Sequence, residues 1–258
     1  MRIVIKIGTS TLAHKSGELN IRRTEELCRI ISDIKNSGIE VIIVSSGAIG
    51  MGAAKLSLPG RPQDIATKQA AAAVGQCELM YRYDKLFAEY HHNVAQILLT
   101  GSDFQNEDRH LNFTNTISRL LELKALPIIN ENDTIATDEI KVGDNDTLSA
   151  LVSVSVSADM LILLSDIDGL FTADPHKVPN AQLIKEIYEI NDDILSLAGD
   201  TSSGLGTGGM KTKLTAADIC MKGGCDMVIA NGAVPKVLYD IINNENPICT
   251  HFISKGKN

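Results

Sequence analysis

Six carboxylates crowd into one short stretch of this chain: Glu131, Asp133, Asp138, Glu139, Asp144 and Asp146. An apolar, strand-like run at 126–129 leads into them. A small-residue helix pattern at 147–157 follows, and a second apolar run at 160–164 breaks off at Ser165-Asp166. Two buried strands that end in acids and amides are what a parallel sheet shows where its C-terminal ends carry a site. The plain alternative is a pair of solvated loops, since Asp and Asn are ordinary turn residues. Against it, the loop between strand and helix exceeds a dozen residues, and structureless loops of that length are usually functional.

Lysines stand near three glycine-rich turns. The turns are at 8–10, at 45–52 (SSGAIGMG) and at 204–209 (GLGTGG); Lys6 precedes the first, and Lys211 and Lys213 follow the third. Such turns bring backbone N–H groups close to an anion, and a helix start adds its dipole. Lys6 interrupts an otherwise apolar strand. It either snorkels to the surface or needs a buried partner. Lys211 and Lys213 fall in the first turn of a helix, where cations oppose the dipole unless an anion sits there. Together these features point to a polyphosphate ligand.

Two nucleotide motifs fail. The segment 204–209 satisfies G-x-G-x-x-G, but the residues before it, AGDTSS, are not a strand. Met210 stands where a P-loop has its lysine. His14, His91, His92, His110, His176 and His251 show no metal-ligand spacing and adjoin no candidate Ser or Cys nucleophile, so they read as surface or loop residues.

The rest of the chain must position these groups. Strand patterns at 2–8, 40–44, 94–99, 126–129, 160–164, 183–188, 227–229 and 248–253 alternate with helix patterns at 21–37, 64–90, 107–123, 147–157, 192–197, 210–222 and 236–242. That alternation implies a mainly parallel sheet covered on both faces. Hydrophobic residues make up 44% of the 258 and charged residues 22%, enough apolar material for a large core. The net charge of −8 argues against nucleic-acid binding. No apolar run approaches membrane-spanning length and the N-terminus does not read as a signal peptide; with cysteines that read as thiols rather than a disulfide set, a cytoplasmic protein is expected. The five cysteines, among them Cys28, Cys220 and Cys249 in helix and strand patterns, read as buried thiols.

With these pieces assembled, the chain strongly resembles the amino acid kinase family. The matching blocks are VIKIGTS at 4–10, SSGAIGMG at 45–52, INENDTIAT at 129–137, IKVGDNDTLSA at 140–150, LLSDIDGLFTADP at 163–175 and SGLGTGGMKTKLTAA at 203–217. They run in family order, and INEND with KVGDND resembles the members whose acceptor is glutamate. The resemblance implies one kinase domain over 1–258, a three-layer αβα sandwich around a mainly parallel sheet of about eight strands. Its N-terminal part would bind glutamate and its C-terminal part ATP. It also implies ATP-dependent phosphorylation of the side-chain carboxylate of L-glutamate, the first step of proline synthesis. Position by position, Lys6, Asp146 and Lys213 would be catalytic, the lysines on the transferred phosphoryl group and Asp146 holding them. Lys6, Gly8, Ser165, Asp166, Thr207, Gly208, Gly209, Met210, Lys211, Thr212 and Lys213 would bind ATP. Ser46, Gly47, Ala48, Asp133 and Asn145 would bind glutamate. Magnesium, held mainly through the ATP phosphates, feedback inhibition by proline, and a homodimer or homotetramer are implied too. A C-terminal PUA domain found in many members is expected to be missing.

The residues themselves fit that chemistry. A glutamate carboxylate, with a reference pKa of about 4.3, is already a nucleophile at neutral pH and needs no general base. Phosphoryl transfer is then mainly positioning and charge neutralisation. For Asp146 the plainer reading is an N-cap before Thr147, worth about 1 kcal/mol. Sister kinases acting on N-acetylglutamate, aspartate, carbamate or UMP are the nearest alternative. A free ammonium group wants a carboxylate such as Asp133, and an acetylated amine does not. A non-catalytic amino-acid sensor would have lost Lys6, Asp146 or Lys213, and a dinucleotide oxidoreductase would keep its fingerprint.

Overall fold

The computed structural model describes residues 1–258 except 15–17, 61, 137–143, 176, 179, 199–208 and 256–258. The elements in chain order are β1 (Arg2–Ile7), α1 (Thr9–Leu12), α2 (Ile21–Asn36), β2 (Glu40–Ser45), α3 (Ala48–Lys55), α4 (Ile65–Ala88), β3 (Val94–Leu99), α5 (Gly101–Gln105), α6 (Glu107–Glu122) and β4 (Leu126–Glu131). After them come α7 (Asn145–Ser155), β5 (Met160–Ser165), β6 (Glu186–Ile187), α8 (Asp192–Ser196), α9 (Met210–Lys222), β7 (Asp226–Asn231), α10 (Val237–Asn243) and β8 (Cys249–Phe252).

The described strands form one eight-stranded sheet in the order β3-β4-β2-β1-β5-β7-β8-β6. The pairings from β3 through β7 are parallel, and β8 joins β7 antiparallel. This is the expected αβα sandwich, with a reversed pair of strands at one edge. The chain builds outward from β1 to one side through β2 and β4, then returns to its other side with β5. Such a reversal opens a crevice at the C-terminal ends of the central strands.

Alternation along β1 decides where its side chains go, because successive residues of a strand face opposite ways. Ile3, Ile5 and Ile7 pack into a core with α2, α4 and α10, through Leu27, Ile31, Leu79, Phe87 and Leu238. Val4 packs into the other core, with Leu148 and Val152 of α7 and Leu214 and Ala217 of α9. Lys6 shares the parity of Val4, so it emerges on the α7–α9 side, at the C-terminal end of a central strand.

The structure differs from the sequence reading at several elements. The stretch 45–52 is not only a glycine turn: from Ala48 it is helix, capped by Gly47 at φ 107°. Gly52 and Gly75 explain why so glycine-rich a segment is helical. A Cβ on Gly52 would lie 1.7 Å from the Ala71 carbonyl oxygen, and one on Gly75 1.8 Å from that of Ala48. The backbones of α3 and α4 touch there, and packing overrides the weak helix propensity of glycine. The long strand expected at 183–188 shrinks to Glu186–Ile187, with a separate bridge between Phe171 and Leu183. The short helices α1 and α5 escaped the sequence patterns.

Candidate active site

Asp146 is the electrostatic centre of the crevice. It lies in the first turn of α7, is 1% exposed, and holds a lysine on each oxygen. Lys6 Nζ is 2.6 Å from its Oδ1, and Lys213 Nζ is 3.1 Å from its Oδ2. Thr212 Oγ1 donates to the same Oδ2 at 3.1 Å. Both lysines are buried, at 8% and 5% exposure. Burial pushes the Asp146 carboxyl up, but the positive charges of Lys6 and Lys213 outweigh that and hold it down to about 2. One carboxylate thus serves two cations.

The local sequence explains the placement. Asp144, not Asp146, caps α7: its Oδ1 accepts from the Thr147 N–H at 2.8 Å. The N-cap reading of Asp146 is therefore wrong by two residues, and its side chain is released toward the lysines. The conflict expected of cations in the first turn of α9 is resolved for Lys213 by the same ion pair. Lys211 points to solvent and stays outside the cluster. Burial raises the pKa of Asp144, against the pull of Lys6 and its bond to Thr147.

Beside this cluster the ends of β1, β2, β4 and β5 meet. Gly8 caps α1 directly after β1. A Cβ there would sit 3.3 Å from Lys6 Nζ and 3.4 Å from the Leu164 carbonyl oxygen, so glycine keeps space open next to the amine. Ser46 follows β2, and its N–H donates to the Ile7 carbonyl at 3.0 Å. Asn145 Nδ2 donates to Ser46 Oγ at 2.7 Å and to Asn130 Oδ1 at 3.0 Å. Gly47 and Ala48 open α3 immediately after Ser46. Asp133 lies half-buried on the turn after β4, where the Asn132 carbonyl accepts from the Ala136 N–H at 3.0 Å.

On the other flank, Ser165 ends β5 and is buried, with its hydroxyl on Asp166 Oδ1 at 3.2 Å. Asp166 itself is exposed. Gly209 caps α9 and Met210 opens it, both half-buried. Thr207 and Gly208 lie outside the described residues, as do Asp138 and Glu139.

The sequence reading missed three residues. Asn231, at the end of β7, donates to Asp168 Oδ1 at 2.8 Å beside Ser165. Asn130 Nδ2 donates to Gln76 Oε1 at 2.9 Å, which ties α4 to the Ser46–Asn145 pair. Asn130 sat inside the INEND block and was open to view. Gln76, within an alanine-rich helix, carries no local signal. The histidines also need correcting. His92 is buried, His110 on α6 shares a 2.8 Å hydrogen bond with Ser155, and His251 belongs to β8. No site residue described above is a histidine.

The family model described as "Amino acid kinase family" matches residues 1–231. The chain belongs to the amino acid kinase family. Two relatives show how near it stands to particular members. A glutamate 5-kinase of Clostridium perfringens is 52% identical, with 98% of this chain aligned to 96% of it. A glutamate 5-kinase of Clostridium acetobutylicum is also 52% identical, over 99% of this chain and 96% of its own length. Among solved structures, isopentenyl phosphate kinase of T. acidophilum in a product complex superposes with a TM-score of 0.67 at 16% identity, covering 98% of this chain and all of its own. That likeness is one of fold.

Proposed function

We propose that this amino acid kinase transfers the γ-phosphoryl group of ATP to the side-chain carboxylate of L-glutamate, giving L-glutamyl 5-phosphate and ADP, with the whole of 1–258 acting as one kinase domain. The observation that carries the reading is the Lys6–Asp146–Lys213 bridge, buried beside the Ser46–Asn145 pair at the C-terminal ends of the central strands. The 52% identity to glutamate 5-kinases supports glutamate as the acceptor.

In this reading Ser46, Gly47, Ala48, Asp133 and Asn145 bind glutamate in the N-terminal part. Asp133 pairs with the free ammonium group. Gly8, Ser165, Asp166, Gly209, Met210 and Thr212 line the nucleotide side, with Lys211, Thr207 and Gly208 of the same block. A carboxylate oxygen of glutamate attacks the γ-phosphorus; the bond to the β,γ-bridging oxygen breaks and ADP leaves. Lys6 and Lys213 bear on the oxygens of the transferring group, where charge develops. Asp146 orients both amines and takes no proton, since its carboxyl is held at about 2. Magnesium fits as a partner of the nucleotide, since both Asp146 oxygens are committed to lysines. Bound to the phosphates, it would neutralise their charge. The same reading takes in feedback by proline, a homodimer or homotetramer and a cytoplasmic setting, each resting on the family resemblance.

The test is ADP release with glutamate, N-acetylglutamate and aspartate as acceptors, for the wild type and Asp133→Ala. Glutamate should be preferred by orders of magnitude. Asp133→Ala should raise KM for glutamate and leave KM for ATP unchanged. Equal turnover of N-acetylglutamate would move the chain to a sister kinase.

A further inference from the structure

Gln76 anchors the Ser46–Asn145 side of the crevice through Asn130. It lies on α4 next to Gly75, where α3 and α4 touch, and is 7% exposed. Its Oε1 accepts from Asn130 Nδ2 at 2.9 Å. That bond, with the Glu131 N–H that donates to Asn130 Oδ1, fixes which way the Asn130 carboxamide faces. Asn130 Oδ1 is thereby aimed at the Glu131 N–H, at 2.9 Å, and at Asn145 Nδ2, at 3.0 Å. Asn145 Nδ2 is shared among Asn130, Ser46 Oγ at 2.7 Å and the Ser45 carbonyl at 3.2 Å. Asn145 Oδ1 is consequently left buried with no hydrogen-bond partner among the described residues. A buried polar atom left unpaired is costly and calls for a partner.

We infer that Gln76 is a positioning residue for glutamate: through Asn130 it sets the Asn145 carboxamide so that Oδ1 is the acceptor kept for the substrate's ammonium group. The inference rests on the reading of Asn145 as a glutamate ligand. Without the Gln76 acceptor, Asn130 is oriented by the Glu131 N–H alone and its Nδ2 loses its partner; the rotated form, which presents Nδ2 to Asn145 Nδ2, then becomes populated. Asn145 then turns its own oxygen inward and loses it as an acceptor for the ligand. The nucleotide side is not touched by this chain of bonds.

The experiment compares Gln76→Met, Gln76→Glu, Asn145→Ala and the double variant Gln76→Met/Asn145→Ala by steady-state ADP release. Met keeps the shape of Gln and removes the acceptor, whereas Glu keeps an acceptor in place. Gln76→Met should raise KM for glutamate about tenfold, the order expected for one hydrogen bond in a buried network. KM for ATP and kcat should stay within about twofold. Gln76→Glu should recover most of the affinity, and the double variant should be no worse than Asn145→Ala alone. If Asn145→Ala raises KM for glutamate but Gln76→Met does not, the inference falls and the glutamate site stands. The same holds if the two effects multiply, if KM for ATP rises in step, or if Gln76→Glu is as impaired as Gln76→Met. If Asn145→Ala leaves KM for glutamate unchanged, the reading of the site beneath the inference falls first.

Discussion

Lys6 on β1 and Asp146 on α7 are 140 residues apart in the chain and 2.6 Å apart in space. Their contact joins the central strand to the helix that covers it, and Lys213 of α9 closes on the second carboxylate oxygen. The two amines are held in place before any substrate arrives. Preorganised charge of this kind stabilises a transition state without reorganising during the reaction.

Removing either amine should therefore cost turnover more than folding. Lys6→Ala and Lys213→Ala are each expected to lower kcat by about two to three orders of magnitude. Asp146→Ala is different, since it strands two buried cations. It should destabilise the fold by about 3–5 kcal/mol, the usual cost of removing one partner from a buried ion pair. Denaturant unfolding separates the two cases. A lysine variant with near-normal kcat would contradict its role on the phosphoryl group.

The contact between α3 and α4 makes an equally specific demand. Gly75→Ala places a methyl group 1.8 Å from the Ala48 carbonyl oxygen, which forces the helices apart. A loss of about 1–3 kcal/mol is expected from overpacking alone. KM for glutamate should rise with it, because Ala48 opens the helix that follows Ser46. Gly50, also on α3, has nothing within 4 Å of its added Cβ. Gly50→Ala should be neutral or stabilising by up to about 1 kcal/mol. Thermal unfolding of the pair checks the geometry, and equal effects would refute it.

Much of this was legible before the structure. The alternation of strands and helices, and the buried lysine on the first strand, follow from periodicity and the cost of an unpaired charge. What periodicity could not show is the close contact of Gly52 and Gly75, because glycine reads as a turn until a partner backbone is known. The cap of α7 was misplaced because Asp144, Asn145 and Asp146 are all competent caps, and only the direction of the Asp146 side chain decides. Gln76 was invisible for a related reason. Its role comes from Asn130, a residue 54 positions away.

The pH profile of kcat follows from the same cluster. The Asp146 carboxyl is lowered from its ordinary value of 3.8 to about 2, so it is ionised throughout the neutral range. The sign is that of a depressed acid. Its contribution to stability is complete above about pH 4 and is lost as pH falls toward 2. Between about pH 6 and 8, kcat at saturating glutamate and Mg-ATP should be flat, because the nucleophilic carboxylate is already ionised. An acidic limb in that range, abolished by Asp144→Asn or by replacing one histidine, would reveal a general base and overturn the base-free mechanism.

The central claim, phosphoryl transfer onto a side-chain carboxylate, is tested most directly by trapping the product. An acyl phosphate reacts with hydroxylamine to give a hydroxamate, whereas ATP and inorganic phosphate do not. The protein incubated with Mg-ATP, L-glutamate and hydroxylamine should form γ-glutamyl hydroxamate in equal amount to ADP, with both lost in Lys213→Ala. ADP formed without hydroxamate would contradict the account.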